Sequence, residues 1–349
     1  MAEDYLLTTE EQIQTVHGGF RHLVILGAGA SRALSLHTPL VGEKIIPLMA
    51  DLVQVVKLED LLAELPKRDR TVNFEKLYGK ICKNPSMDAI QAEIEKRTYA
   101  YFDSLHLPAI PTIYDYLILS LRKKDMVASF NWDPLLIQAY ARNHHFTSDL
   151  PELIFLHGNV AIGLSEKEGL FGPKGRTTPG GNIYEQIPIL FPVETKDYNK
   201  NLFIRDQWEA LRWFIETDLA MITIFGYSAP IYDTAAMSLI STAWGEAKKH
   251  PFSQFEFIDI RKAEEVFGSW EKLIHNGHHH LEDSFFSSTI ARSPRRTGEI
   301  FNAMYMKGKW PSFNAVPYNS LKSLDDVWDW YRPLLDAEHA YRTEGMNAE

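Results

Sequence analysis

The apolar positions of the chain follow two rhythms. His22-Leu23-Val24-Ile25-Leu26 is a short run rich in branched residues that stops at Gly27-Ala28-Gly29-Ala30-Ser31. A run of this kind ended by glycines predicts a buried strand entering a tight turn. Residues 38–56 instead carry apolar side chains at mixed three and four spacing, which predicts an amphipathic helix. The same spacing continues through Leu61, Leu62 and Leu65, then Phe74, Leu77 and Ile81, then Ile90 and Ile94, with Pro66, Pro85 and Pro108 as breaks. It predicts a helical insertion over about 57–111.

Alternation of helices with short apolar strands follows: a helix over 113–123, a strand at 126–130, a helix over 134–143 and a strand at 153–156. From about 163 to 200 the regularity fails among glycines and prolines, and the stretch reads as a long loop or lid. A helix over 203–217, a strand at 221–225, the turn Gly226-Tyr227-Ser228, a helix over 233–248 and a strand at 255–260 then resume the pattern. The fold class read from this order is α/β: a Rossmann-like parallel sheet with helices on both faces, plus the helical insertion. One main domain is expected over 1–275, with a helical, aromatic extension over 276–349 packed on its core.

Composition narrows the partners. The 349 residues include 36 Lys+Arg against 46 Asp+Glu, a formal net charge of −10, so direct nucleic-acid binding is not expected. With 45% hydrophobic and 12% aromatic residues the chain can bury a substantial core. Its one cysteine, Cys82, rules out an internal disulfide framework and a Cys-rich zinc ribbon within the chain. No run reaches the ~18 apolar residues of a membrane span. The start Met1-Ala2-Glu3-Asp4 is acidic rather than signal-like, so a cytoplasmic location is expected.

Candidate chemistry gathers at the strand ends. A strand passing through Gly27-Ala28-Gly29 into a helix can bring backbone N–H groups and the helix field to a phosphate. The dehydrogenase fingerprint asks for a small residue where Arg32 stands and an acidic residue after a prompt second strand, so hydride-transfer binding is disfavoured. A turn that merely packs helix on strand is the open alternative. Ser129-Phe130-Asn131-Trp132-Asp133 closes one strand, and Phe155-Leu156-His157-Gly158-Asn159 closes the next, His157 lying 26 residues after Asn131. Either block alone is more often a cap or a buried polar group. Asn, Asp and His at consecutive strand ends, between glycine turns at 27 and 226, converge on one crevice at the carboxyl edge of the sheet.

The ordered set GAGAS (27–31), SFNWD (129–133), LHGN (156–159), GYS (226–228) and FIDI (257–260) resembles the Sir2 family over about residues 20–260. The resemblance implies that Gly27, Ala28, Gly29 and Ser31 would hold the phosphates of NAD. Asn131 would orient the reactive ribose and a water, Asp133 would meet the nicotinamide carboxamide, and His157 would act as base. Gly226 and Ser228 would line the adenosine side, with Asp259 near its ribose. Protein deacylases of the family carry a four-cysteine zinc module and an Asp-Phe-Arg stretch, and neither is present. The pattern is similar instead to the zinc-free Sir2-like effectors of bacterial anti-phage defence, which hydrolyse NAD. That likeness implies a homo-oligomer, a partner such as a P-loop ATPase or an Argonaute-type protein, or both.

Such chemistry suits a sparse residue set. The nicotinamide of NAD is a cationic pyridinium that leaves neutral, so cleavage dispenses with the general acid of ordinary glycosidases. An Asn to position water, a His to accept its proton and an Asp beside the developing cation suffice. The rivals are an NAD-dependent deacylase or ADP-ribosyltransferase, and a sensor that binds NAD or ADP-ribose without turnover. His278-His279-His280 is discounted as a metal site because adjacent side chains point to different faces. Arg292, Arg295 and Arg296 read as a solvated basic face, and Trp328, Trp330 and Tyr331 as packing or subunit contacts. The sequence does not decide whether Glu194 and Lys196, in the irregular region, reach the cleft.

Overall fold

Six strands form the central sheet: β1 (Arg21–Leu26), β2 (Met126–Ser129), β3 (Glu152–Phe155), β4 (Leu219–Phe225), β5 (Gln254–Ile258) and β6 (His278–Glu282). In the computed structural model the described residues are 6–7, 20–65, 71, 73–192, 198, 201–217, 219–229, 233–245, 253–274, 278–308, 310–311 and 315–346. All neighbours in the sheet run parallel, in the order β6-β5-β4-β1-β2-β3. Every residue of β4, and of β1 after Arg21, is buried, as expected of central parallel strands covered on both faces. The sheet is that of a doubly wound α/β fold, and its connections reverse direction between β1 and β4.

The principal helices are α1 (Ala28–His37), α2 (Phe74–Ile81), α3 (Asp88–Asp103), α4 (Ile113–Ser120), α5 (Leu135–His144), α6 (Leu202–Ile215), α7 (Thr234–Trp244), α8 (Ala263–Ile274), α9 (Thr297–Lys307) and α10 (Leu324–Met346). A capping box starts α4: Thr112 and Asp115 satisfy each other's backbone N–H groups. Asp115 also takes hydrogen bonds from Arg142 Nε at 2.6 Å and Asn143 Nδ2 at 2.8 Å, which fastens α5 to α4. From α10, Tyr331 shares a hydrogen bond with Ser120 at 2.6 Å and Trp328 Nε1 donates to Asn143 Oδ1 at 2.8 Å. These aromatics therefore pack within the chain.

Four expectations are corrected. Residues 38–56 do not form one helix: they hold a single 3₁₀ turn at Val41–Glu43 and a four-residue helix at Leu52–Val55. Pro39 and Pro47 cannot continue a helix, and Gly42 sits at φ +71°. The 163–200 region is no bare loop, because Ile162–Ser165 pairs antiparallel with both Leu170–Pro173 and Glu185–Gln186. The polar run at 278–282, expected in a helical extension, is the sixth strand, paired parallel with β5. Arg295 and Arg296 are buried rather than solvated: Arg295 donates to Glu338 Oε1 and Oε2, each at 2.9 Å, and to the carbonyls of Leu119 and Leu121 at 3.1 Å. The helix expected over 233–248 is seen as α7, and residues 246–248, like Glu194 and Lys196, lie outside the described residues.

Candidate active site

The sheet reverses between β1 and β4, and the two turns that follow those strands interlock. Gly27 N–H donates to Phe225 O and Gly29 N–H to Gly226 O, both at 3.0 Å. A Cβ at Gly27 would stand 2.5 Å from Gly226 O and from Tyr227 Cα, so only hydrogen fits. Gly226 has φ +62°, and a Cβ there would reach Ala30 N at 2.3 Å. The packing reading of the glycine turn is therefore met. The glycines pack turn on turn, and the N-terminus of α1, capped by Gly27 with no acidic residue in its first turn, opens on a cavity touched by Ala28, Gly29, Gly226 and Ser228. That end of the helix presents the positive pole of its dipole to an anion. The amides of Gly27, Gly29 and Ala30 are already engaged, so a phosphate would meet chiefly this field.

The cavity measures about 680 Å³. Asn131, Asp133 and His157 line its inner wall, while Asp259 lines the far end. Gly27 and Ser31 stand one layer behind. Ser31, fully buried, is a hub: its Oγ donates to Asp133 Oδ2 at 2.8 Å, accepts from Asn131 Nδ2 at 3.0 Å and shares a 2.6 Å hydrogen bond with the Tyr114 hydroxyl. Asn131 Nδ2 also donates to Gly27 O at 3.0 Å, which leaves the amide oxygen as that side chain's acceptor. Burial raises the Asp133 carboxyl to about 6, against the pull of the Ser31 and Leu135 hydrogen bonds. Asn159 ties this strand end to the next one, its Nδ2 donating to Asp133 O at 2.6 Å.

His157 follows β3, its carbonyl accepting from Leu190 N–H at 2.9 Å and Gly158 turning the chain at φ +76°. Its ring meets Phe130 edge-on with centroids 4.8 Å apart, and Phe130 in turn stacks on Tyr227 at 4.1 Å. Facing His157 Nε2 at 3.8 Å is Asp233 Oδ2. Asp233 Oδ2 accepts from the Tyr227 hydroxyl at 2.8 Å and Oδ1 from the Tyr198 hydroxyl at 3.2 Å. At the far end Arg261 grips Asp259 through Nε at 3.0 Å and Nη2 at 2.7 Å, and Asp283 and Ser284 come in from the end of β6. A ribose approaching Asp259 would share it with this guanidinium.

Sequence reasoning placed Asn131, Asp133 and His157 on one crevice, and the structure brings all three to one cavity. It missed Tyr114, Asp233, Tyr198 and the helical-insertion residues Glu75 and Phe102, which also line or support the wall. Asp233 carried a faint signal, an acidic residue a few positions beyond a strand-end glycine turn. Glu75 and Phe102 carried none, because they arrive from helices whose docking the local pattern does not encode. The three histidines at 278–280 alternate along β6, and His280 pairs with Glu256 at 3.2 Å. Among the described residues no group of three or more His, Cys, Asp or Glu is placed to hold a metal ion, and no helix is long and apolar enough to cross a membrane.

No family model matches the chain, and no curated protein matches it. Among solved structures, a Sir2 homologue in complex with NAD is 12% identical, with 85% of this chain and 91% of that chain covered at a TM-score of 0.40. A mutant Sir2 homologue with ADP-ribose is 12% identical over 84% of this chain and 93% of that chain, TM-score 0.37. A mutant with 2'-O-acetyl ADP-ribose is 14% identical over 85% and 95%, TM-score 0.39. Similarity of this degree carries no statement about the chemistry of this chain.

Proposed function

We propose that the chain is an NAD glycohydrolase that cleaves NAD to nicotinamide and ADP-ribose. The observation that supports this most is the meeting, in one cavity, of a helix N-terminus with Asn131, Asp133 and His157, next to the reversal of the sheet. Its volume lies within the range of small-molecule sites, roughly 300–1,000 Å³. Ala28, Gly29, Gly226 and Ser228 would face the phosphates and the adenosine side, with Gly27 and Ser31 bracing them from behind and Asp259 toward the adenosine ribose.

The bond from the ribose C1' to the nicotinamide nitrogen breaks with its electron pair passing to the ring, which leaves neutral. Asp133, ionised above about pH 6, would steady the oxocarbenium-like centre by its negative potential. The Asn131 amide oxygen orients a water toward C1', and His157 takes the proton that this water loses on attack. Unchecked loss of NAD is lethal to a cell, so we infer control through assembly of copies or through a partner such as a P-loop ATPase or an Argonaute-type protein, in anti-phage defence.

Incubation of the purified protein with NAD, alone and with its genomic neighbour, tests the reading by chromatographic release of nicotinamide. Release that Asn131→Ala and His157→Ala each abolish, in folded protein, is the expected result. NAD that survives every condition until an acyl-lysine peptide restores turnover would replace this reading with a deacylase.

A further inference from the structure

The carboxylate facing His157 has no part in the residue roles given above. Asp233 enters from the segment after β4 and His157 from the end of β3, so the sheet, and not local sequence, brings them together. Both side chains are nearly withdrawn from solvent, at 4% and 9% exposure, and both line the cavity. At 3.8 Å the pair is too long for a direct hydrogen bond but close enough for strong charge coupling in a site of low polarity. The carboxylate is held from behind by the hydroxyls of Tyr227 and Tyr198. Burial pushes both phenols above their ordinary value, so they remain donors across the working range of pH.

We propose that Asp233 is a positioning residue for His157, its carboxylate holding the imidazolium that forms when His157 takes a proton from the attacking water. The origin of that proton rests on the NAD-cleaving reading; the charge coupling does not. The balance is simple. The water O–H bond breaks, its electron pair goes into the new O–C1' bond, the proton goes to the ring, and the ring returns it to solvent when the product leaves. Among the described residues the other ionisable groups lining the cavity, besides the tyrosines, are Arg32 and His37 from α1, Glu75 from α2 and Asp133 after β2, with Asp259, Arg261 and Asp283 at the far end. Among the groups lining the cavity, the Asp233 carboxylate faces the His157 ring nitrogen at 3.8 Å.

The test is a ¹³C-histidine NMR titration of the ligand-free full chain, with the His157 signal assigned among 13 histidines by its loss in His157→Ala. In Asp233→Asn the His157 midpoint should fall by about one to three pH units, the effect expected of an opposite charge at this range. Nicotinamide release should fall at least tenfold on its plateau, and its acid limb should move down in pH with the NMR midpoint. An unchanged midpoint overturns the proposal. Should the variant not fold, Tyr227→Phe keeps the ring on Phe130 and strips one donor from the carboxylate. The His157 midpoint should then rise, and a fall or no change overturns the proposal. A midpoint that moves in a protein that never releases nicotinamide defeats the NAD reading and leaves the pair standing. Release that survives Asp233→Asn with both readouts unmoved defeats the pair alone.

Discussion

Ser31→Ala separates the electrostatic work of the Ser31 hub from its packing. Asp133 keeps its proton to about pH 6 in the folded chain, against 3.8 for the ordinary carboxyl, because burial outweighs its hydrogen bonds. A carboxyl whose folded value is raised costs stability once ionised: the cost is absent below about pH 4 and complete above about pH 6, and amounts to about 3 kcal/mol. The 2.8 Å hydrogen bond from Ser31 Oγ already limits it. A hydrogen bond to a charged acceptor is worth about 1.5–3 kcal/mol, or about one to two pH units. Its removal should lift Asp133 to between about 7 and 8. Loss of Ser31 as partner to Tyr114 and Asn131 adds a penalty that does not depend on pH. Urea unfolding of wild type and Ser31→Ala from pH 5 to pH 9 should therefore show a stability gap that widens by about 1.5–3 kcal/mol as Asp133 ionises. A gap that stays flat across that range refutes the assignment of Ser31 as the donor that tames Asp133.

Gly226→Ala should cost at least about 3 kcal/mol, since the left-handed backbone is unfavourable for alanine and the added Cβ meets Ala30 N at 2.3 Å. Denaturant unfolding within about 1 kcal/mol of wild type would mean that the two glycine turns do not interlock. Burial lowers His22 to about 4, against the raising influence of Asp125 and Glu256, while its ring nitrogens bond Thr297 and Thr223. The unfolded chain takes up that proton at about 6.5, so stability should fall between about pH 6.5 and pH 4 by about 3 kcal/mol on this account. Unfolding of His22→Asn at pH 7 and 4.5 should show this acid loss reduced, and an equal loss in both proteins would remove the assignment.

The parts of the fold legible in the sequence were those whose signal is local. Leu23–Leu26 is apolar throughout because the strand is covered on both faces, and Gly27 follows because the turn admits no Cβ. The convergence of Asn131, Asp133 and His157 was readable because parallel strands put their carboxyl ends on one edge. What escaped depends on distant partners. His278–Glu282 is polar at an edge and becomes a strand only against β5. Arg295 is charged, yet is buried because Glu338 arrives from α10 to match it. Asp233 lies 76 residues beyond His157, and only the sheet order makes them neighbours.

That sheet order also sets a schedule for synthesis. β1 is the first of the six strands to leave the ribosome, yet it occupies the middle of the sheet, and its neighbours β2 and β4 begin at residues 126 and 219. At roughly 5–20 residues per second, about 10–40 s separate the emergence of Leu26 from that of Leu219. Through that interval Leu23-Val24-Ile25-Leu26 is an apolar ribbon lacking one or both lateral partners, the kind of segment that seeds aggregation. Slow codons between residues 126 and 219 would lengthen the exposure, and fast ones would shorten it. The yield of soluble protein should therefore respond to translation speed in that stretch more than to the same changes made after residue 282.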